Sequence, residues 1–192
     1  MKKLFSLLLC LVLFLPVMAM AENQIETDVY TIDFGDFTMV LHDGDYYEIA
    51  PTKTSNAVYA MVYPAYDATA ATHDNFNVVW NAEDASPVIS LYGAEAYAKL
   101  LLQTFEAQYK SMGIKMTDGQ VIAARYEDGV GAFITFCNMD YTGAGYALVT
   151  PMYQLQAYFC FAEQGSYIFT FTAVSLDDLE ALSSYLDTVV FK

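Results

Sequence analysis

Basic residues are scarce in this chain: 8 Lys and Arg stand against 23 Asp and Glu, a formal charge of −15. Nucleic acid and anionic membrane surfaces repel so acidic a protein, and neither is an expected partner. Histidine is scarcer still, with only His42 and His73, each in a polar stretch beside an aspartate. A surface turn is the expected place for both. Three cysteines are too few for a disulfide-built scaffold, and neither Cys137 nor Cys160 has a second Cys or a His at zinc-site spacing. Catalytic signatures are missing as well. Gly143-Ala144-Gly145 lacks the third glycine of a dinucleotide fingerprint, no Gly-Lys-Ser/Thr phosphate loop occurs, and no serine sits in a G-x-S-x-G elbow. No cofactor is expected.

One apolar run stands out, at the N-terminus. Lys2 and Lys3 precede the run from Leu4 to Val17, and Ala19-Met20-Ala21 supplies a small-x-small cleavage site. That layout is a secretory signal peptide over residues 1–21. The run is shorter than the about 20 residues a spanning helix needs, and Pro16 interrupts it. Cleavage would remove two lysines and leave the remainder more acidic still. Residues 22–28 read as a flexible polar leader and 29–192 as one domain, located outside the cytoplasm. In that compartment a Cys137–Cys160 disulfide is allowed, and the two are expected within bonding reach on neighbouring strands, with two buried free thiols as the alternative.

Strand and turn signals then follow one another closely. Val29 to Phe34 alternates as a strand does, and after Gly35-Asp36 a second strand runs from Phe37 to Leu41. Asp43-Gly44 predicts a hairpin with Tyr46 to Ala50 as the returning partner. Further strands are expected over Ala57–Tyr63 and Phe76–Asn81, the latter holding the only tryptophan, Trp80. Apolar residues Ala98, Leu101, Leu102, Phe105, Tyr109 and Met112 step by three and four, which predicts one helix from Leu91 to Met112 closed by Gly113. Gln120–Tyr126 and Val130–Asn138 form the next pair, turned at Glu127-Asp128-Gly129. The chain closes on a hairpin and a helix capped by Ser175, with Leu179, Leu182, Leu186 and Val190 as its buried stripe.

That last hairpin bears on architecture. With Gln164-Gly165 as the turn, Phe161 lies opposite Ile168, Phe159 opposite Thr170 and Cys160 opposite Phe169. Both faces are then apolar and both need covering, which predicts an α+β fold: an antiparallel sheet with helices on both faces.

Several stretches resemble the PsbP-like family: FNVVWN from Phe76, the helix LYGAEAYAKLLLQTFEAQYKSMGIKM, then QVIAARYEDGVGAFITF, QLQAYFCFAEQGSYIFTFTA and a helix ending in VVFK. The resemblance spans roughly residues 46–192. It implies the α/β/α arrangement of that family and a non-enzymatic accessory or binding role.

Candidate binding residues are few in kind. Asp43, Asp45 and Glu48 flank the first turn and supply oxygen ligands of the sort calcium takes, without EF-hand spacing. Tyrosines at strand ends and connectors (Tyr46, Tyr47, Tyr63, Tyr66, Tyr141, Tyr146 and Tyr153) offer an apolar face and a polar tip to a small ligand or protein partner. The expected function is therefore a secreted, non-catalytic binding domain. A hydrolase with dispersed carboxylates and a calcium-dependent module are the alternatives.

Overall fold

A computed structural model describes residues 29–65, 67–68, 74–144 and 151–192. Two sheets and three α-helices make up these residues. Strands β1 (Val29–Asp33) and β2 (Phe37–His42) form a hairpin, and the chain's last strand, β10 (Val190–Phe191), joins the other side of β2. The larger sheet has seven strands, all antiparallel. They are β3 (Tyr46–Ile49), β4 (Ala57–Tyr63), β5 (Asn75–Asn81), β6 (Lys115–Glu127), β7 (Val130–Asp140), β8 (Met152–Phe161) and β9 (Gly165–Ala173), in the order β3-β4-β5-β9-β8-β7-β6.

The Asp43-Gly44 turn is present, with Asp45 N donating to the His42 carbonyl at 3.1 Å, but it does not make a hairpin. It carries the chain from β2 in the small sheet to β3 at the edge of the large one. By contrast, Asp128 and Gly129 both take positive φ, 51° and 82°, and close β6 onto β7 as a two-residue turn must.

The β8–β9 hairpin departs most from expectation. Its loop is Ala162-Glu163-Gln164, with Glu163 at φ 66° and Gln164 N bonded to the Phe161 carbonyl at 3.0 Å. Phe161 therefore pairs with Gly165, Phe159 with Tyr167 and Tyr158 with Ile168. Gly165 is held there by sterics as well as by its φ of 92°: a Cβ would lie 2.3 Å from the Asn81 carbonyl oxygen. The register differs from the expected one by an odd number of residues, and an odd slip turns one strand's side chains to the other face. Phe159, Phe161, Tyr167, Phe169 and Phe171 consequently share one face. The opposite face carries Gln154, Gln156, Tyr158, Ser166, Ile168, Thr170 and Thr172.

The apolar face meets the small sheet. Phe37 lies edge-on to Phe169 (5.4 Å between centroids) and to Tyr167 (5.9 Å). Helix α3 (Leu176–Ser183) and the 3-10 turn Ser184–Thr188 add Leu179, Leu182, Tyr185 and Leu186 to the same core. The cover on this side is thus a second sheet with α3 beside it, rather than a helix alone. Ser175 caps α3 as its sequence predicts, accepting from Asp178 N at 3.1 Å. Val190, expected in the buried stripe, is exposed because the helix has already ended and the chain has become β10.

On the other face lie α1 (Ser86–Tyr92) and α2 (Ala94–Ser111). A single helix from Leu91 is interrupted at Gly93, whose φ of 87° and ψ of 157° no helix accommodates; the first segment instead begins at Ser86 with Pro87 in its first turn. Tyr97 and Ala98 of α2 are buried against Phe133 and Tyr158. Farther along, Leu101, Phe105 and Tyr109 are only half-buried, because the helix stands off from the sheet there.

Candidate functional site

The space under α2 is a groove of about 910 Å³ between that helix and the centre of the large sheet. Its size is at the upper end of the range for ligand pockets, about 300–1,000 Å³. The sheet forms its floor, and the alternation of three strands decides what the floor presents. Asn75-Phe76-Asn77 in β5, Gln154-Leu155-Gln156 in β8 and Thr170-Phe171-Thr172 in β9 each send the apolar middle residue to the core and the polar pair to the groove. Pairing then aligns them. Asn77, Thr170 and Gln156 form one row across three strands, and Asn75, Thr172 and Gln154 form a second. The rows lie roughly 7 Å apart, and each is about 10 Å long, two strand spacings.

One row is tied to the helix. Tyr109 Oη donates to Gln154 Oε1 at 2.9 Å, and Gln154 Nε2 reaches Thr172 Oγ1 at 3.4 Å. The other row is largely unspent. Gln156 has one contact, Nε2 to Tyr109 Oη at 3.5 Å, too long for a strong hydrogen bond. The side chains of Asn77 and Thr170 make no hydrogen bond among the described residues. Gln156 and Thr170 are nevertheless buried, at 7% and 8% exposure. Their polar atoms are not sealed in the interior but reach the groove, so the row presents unspent donors and acceptors to whatever fills it.

At one end of the groove Tyr97 Oη lies 3.3 Å from Tyr158 Oη, which in turn lies 2.6 Å from Ser166 Oγ. Burial raises the pKa of both phenols. Burial also pushes Tyr109 up to about 12, with the bond to Gln154 partly opposing it. These groups stay neutral through the physiological range. Glu83 is the one carboxylate among the described residues of the wall, and no Lys, Arg or His is among them.

Among the sequence candidates, Tyr63 and Tyr141 line the groove. Tyr46 stands behind Tyr63, 6.1 Å between ring centroids, and its hydroxyl donates to Glu48 at 2.7 Å. Tyr47 points to the opposite face, edge-on to Phe34 at 6.0 Å, and Tyr153 packs against the apolar core. Tyr66, Tyr146 and His73 lie outside the described residues, as do residues 1–28, where the signal peptide and polar leader are expected. The structure does not gather Asp43, Asp45 and Glu48 into a ligand set. Asp45 accepts from His42 N (2.8 Å), Tyr185 Oη (2.7 Å) and Ala65 N (3.0 Å), tying the inter-sheet turn to the far side of the core. Among the described residues no group of three or more His, Cys, Asp or Glu is placed to hold a metal. His42 sets its ring edge-on to Tyr185, at 5.3 Å.

Cys137 and Cys160 do sit on neighbouring strands, but in register with Gln154 and Gly131 respectively. Since Gly131 and Cys137 are six residues apart on β7, the two thiols are separated by roughly 20 Å. Bridging needs Cα atoms within about 7 Å, so the expected disulfide is not formed and both thiols are free and buried. Burial raises Cys137 from 9.0 to about 12 and Cys160 to about 11. Both should be silent to a thiol reagent in the folded protein and should both react once it is unfolded without reductant; a protected pair under those conditions would contradict the register. Raised thiol pKa values also mean stability that is complete below the unfolded-state pKa and lost as pH rises through about 11–12.

The groove floor was missed at the sequence level, although its signal is present. Three short polar–apolar–polar triplets, NFN, QLQ and TFT, each announce one polar face. Only the strand order shows that the three faces coincide.

No protein-family model matches the sequence, and no curated protein does. In fold the chain is similar to the solution structure of cyanobacterial PsbP (CyanoP) from Synechocystis sp. PCC 6803. The match covers 92% of this chain and 99% of that one, with a TM-score of 0.53 and 10% sequence identity. The PsbP-like fold expected from the sequence is therefore present. Among the described residues no helix is long and apolar enough to cross a membrane.

Proposed function

We propose that this protein is a non-catalytic binding domain, exported by its N-terminal leader, that holds an uncharged polar ligand in the groove beneath α2. The unspent row Asn77–Thr170–Gln156 carries this reading. A sheet centre facing a helix is ordinarily apolar, because burying an unpaired amide costs about 1–3 kcal/mol. Here two amides and a hydroxyl face a groove instead, with one 3.5 Å contact between them and the helix, and their donors and acceptors are left for a ligand. The accessory role implied by the PsbP-like fold agrees with it. Hydrolysis by paired carboxylates would need a second acid beside Glu83, and the other described residues of the wall include none.

The test is a thermal-shift screen of uncharged polar compounds. At least one should stabilise the protein, by about 2.7 kcal/mol at a concentration about 100 times Kd. Thr170→Trp, which places an indole on the floor, should abolish that shift. A shift that persists in Thr170→Trp would move the binding site elsewhere.

A further inference from the structure

Provided that the groove is the binding site, its chemistry narrows the ligand class, and we propose that it takes a neutral oligosaccharide. Charge removes one set of candidates. No cation lines the described wall and the chain carries a formal charge of −15, so phosphates, uronates and acidic peptides are repelled. Desolvation removes a second: an acyl chain laid on Asn77, Thr170 and Gln156 would strip their water and return no hydrogen bond.

Peptides fit less well than sugars for a geometric reason. A peptide strand binds by extending a sheet edge, and a peptide helix binds an apolar groove. The floor strands β5, β9 and β8 are the third to fifth of seven, with both neighbours already paired, and the floor is polar.

A saccharide meets each requirement. Every sugar hydroxyl donates and accepts, and so does the unspent row: the Asn77 and Gln156 amides each offer two donors and an acceptor, and the Thr170 hydroxyl does both. Two rows roughly 7 Å apart and about 10 Å long form a patch on the scale of one sugar ring. The groove's volume of about 910 Å³ leaves room beyond that patch, so a short oligomer suits it better than a single ring. Tyr63, Tyr141 and Phe105 supply aromatic surface on the walls for the C–H faces of the sugar.

The deciding experiment is calorimetric titration of the purified protein with neutral oligosaccharides of glucose, mannose, galactose, xylose and N-acetylglucosamine. Oligogalacturonate and an uncharged proline-rich peptide are run beside them. At least one neutral saccharide should bind, oligogalacturonate should not, and Asn77→Leu should weaken the saccharide by about tenfold or more. Glu95→Ala on the outer surface of α2 serves as the control that keeps full affinity, and circular dichroism verifies that each variant is folded. Failure of every neutral saccharide to bind overturns the inference, as does equal affinity for the parent and Asn77→Leu. If the peptide alone binds and Asn77→Leu weakens it, the saccharide inference falls while the groove remains a binding site. A saccharide held equally by Asn77→Leu and Thr170→Trp would instead remove the groove reading itself.

Discussion

Phe169→Ala is expected to remove about 3–5 kcal/mol of unfolding free energy, the usual cost of deleting a fully enclosed phenylalanine. Phe169 is wholly buried in β9, the central strand of the large sheet. Its ring lies 5.4 Å from Phe37 in the small sheet, 5.8 Å from Phe159, 6.4 Å from Phe191 at the chain's end and 6.5 Å from Phe171. Those partners come from four different strands and from both sheets, so no small movement closes the hole. Against a typical domain stability of about 5–15 kcal/mol the loss is severe. Urea unfolding should show a large fall in midpoint with an unchanged slope, while Val130→Ala, on an exposed strand end, stays within about 0.5 kcal/mol of the parent. A loss below about 1 kcal/mol for Phe169→Ala would mean that the two sheets do not share this core.

The double substitution Gln156→Leu with Thr170→Val should weaken binding while leaving stability nearly unchanged. Leucine and valine keep the approximate shapes of the residues they replace. The changes sacrifice one 3.5 Å contact to Tyr109 and leave no new buried group unpaired, since Tyr109 still donates to Gln154. Because the polar atoms of both side chains reach the groove and its water, stability should change by less than about 1 kcal/mol. What is lost is the complement to the ligand. Two unmatched ligand groups would be stranded against an apolar floor, weakening binding by at least about 100-fold. A group whose loss costs binding and not stability is kept for something other than the fold.

Much of the local structure is legible in the sequence because it depends on local chemistry. The strand Ala57–Tyr63, the Asp128-Gly129 turn and the Ser175 cap each follow from residues within a few positions of one another. Failures begin where a distant partner decides. Asp43-Gly44 reverses the chain as its residue types require, yet nothing in a turn specifies that the next strand will join β4 rather than return to β2. Gly93 is one position in an otherwise helical pattern, and its effect depends on a conformation that periodicity does not reveal. Gly165 is decisive for the last hairpin because of the Asn81 carbonyl, a contact from another strand. The three-residue loop that Gly165 permits goes with the register, the register sets the faces, and the faces create the groove. Tyr63 and Tyr141, two of the tyrosines at strand ends and connectors, stand at the groove's rim. The amide and hydroxyl floor was invisible until three separate triplets were brought side by side.

Equilibrium urea unfolding of the ligand-free Gln156→Leu, Thr170→Val protein tests the central claim most directly. If the floor is polar for a ligand's sake, the variant unfolds within about 1 kcal/mol of the parent. If it instead unfolds about 1 kcal/mol or more below the parent, those groups are holding the fold together, and the groove is not the site proposed for it.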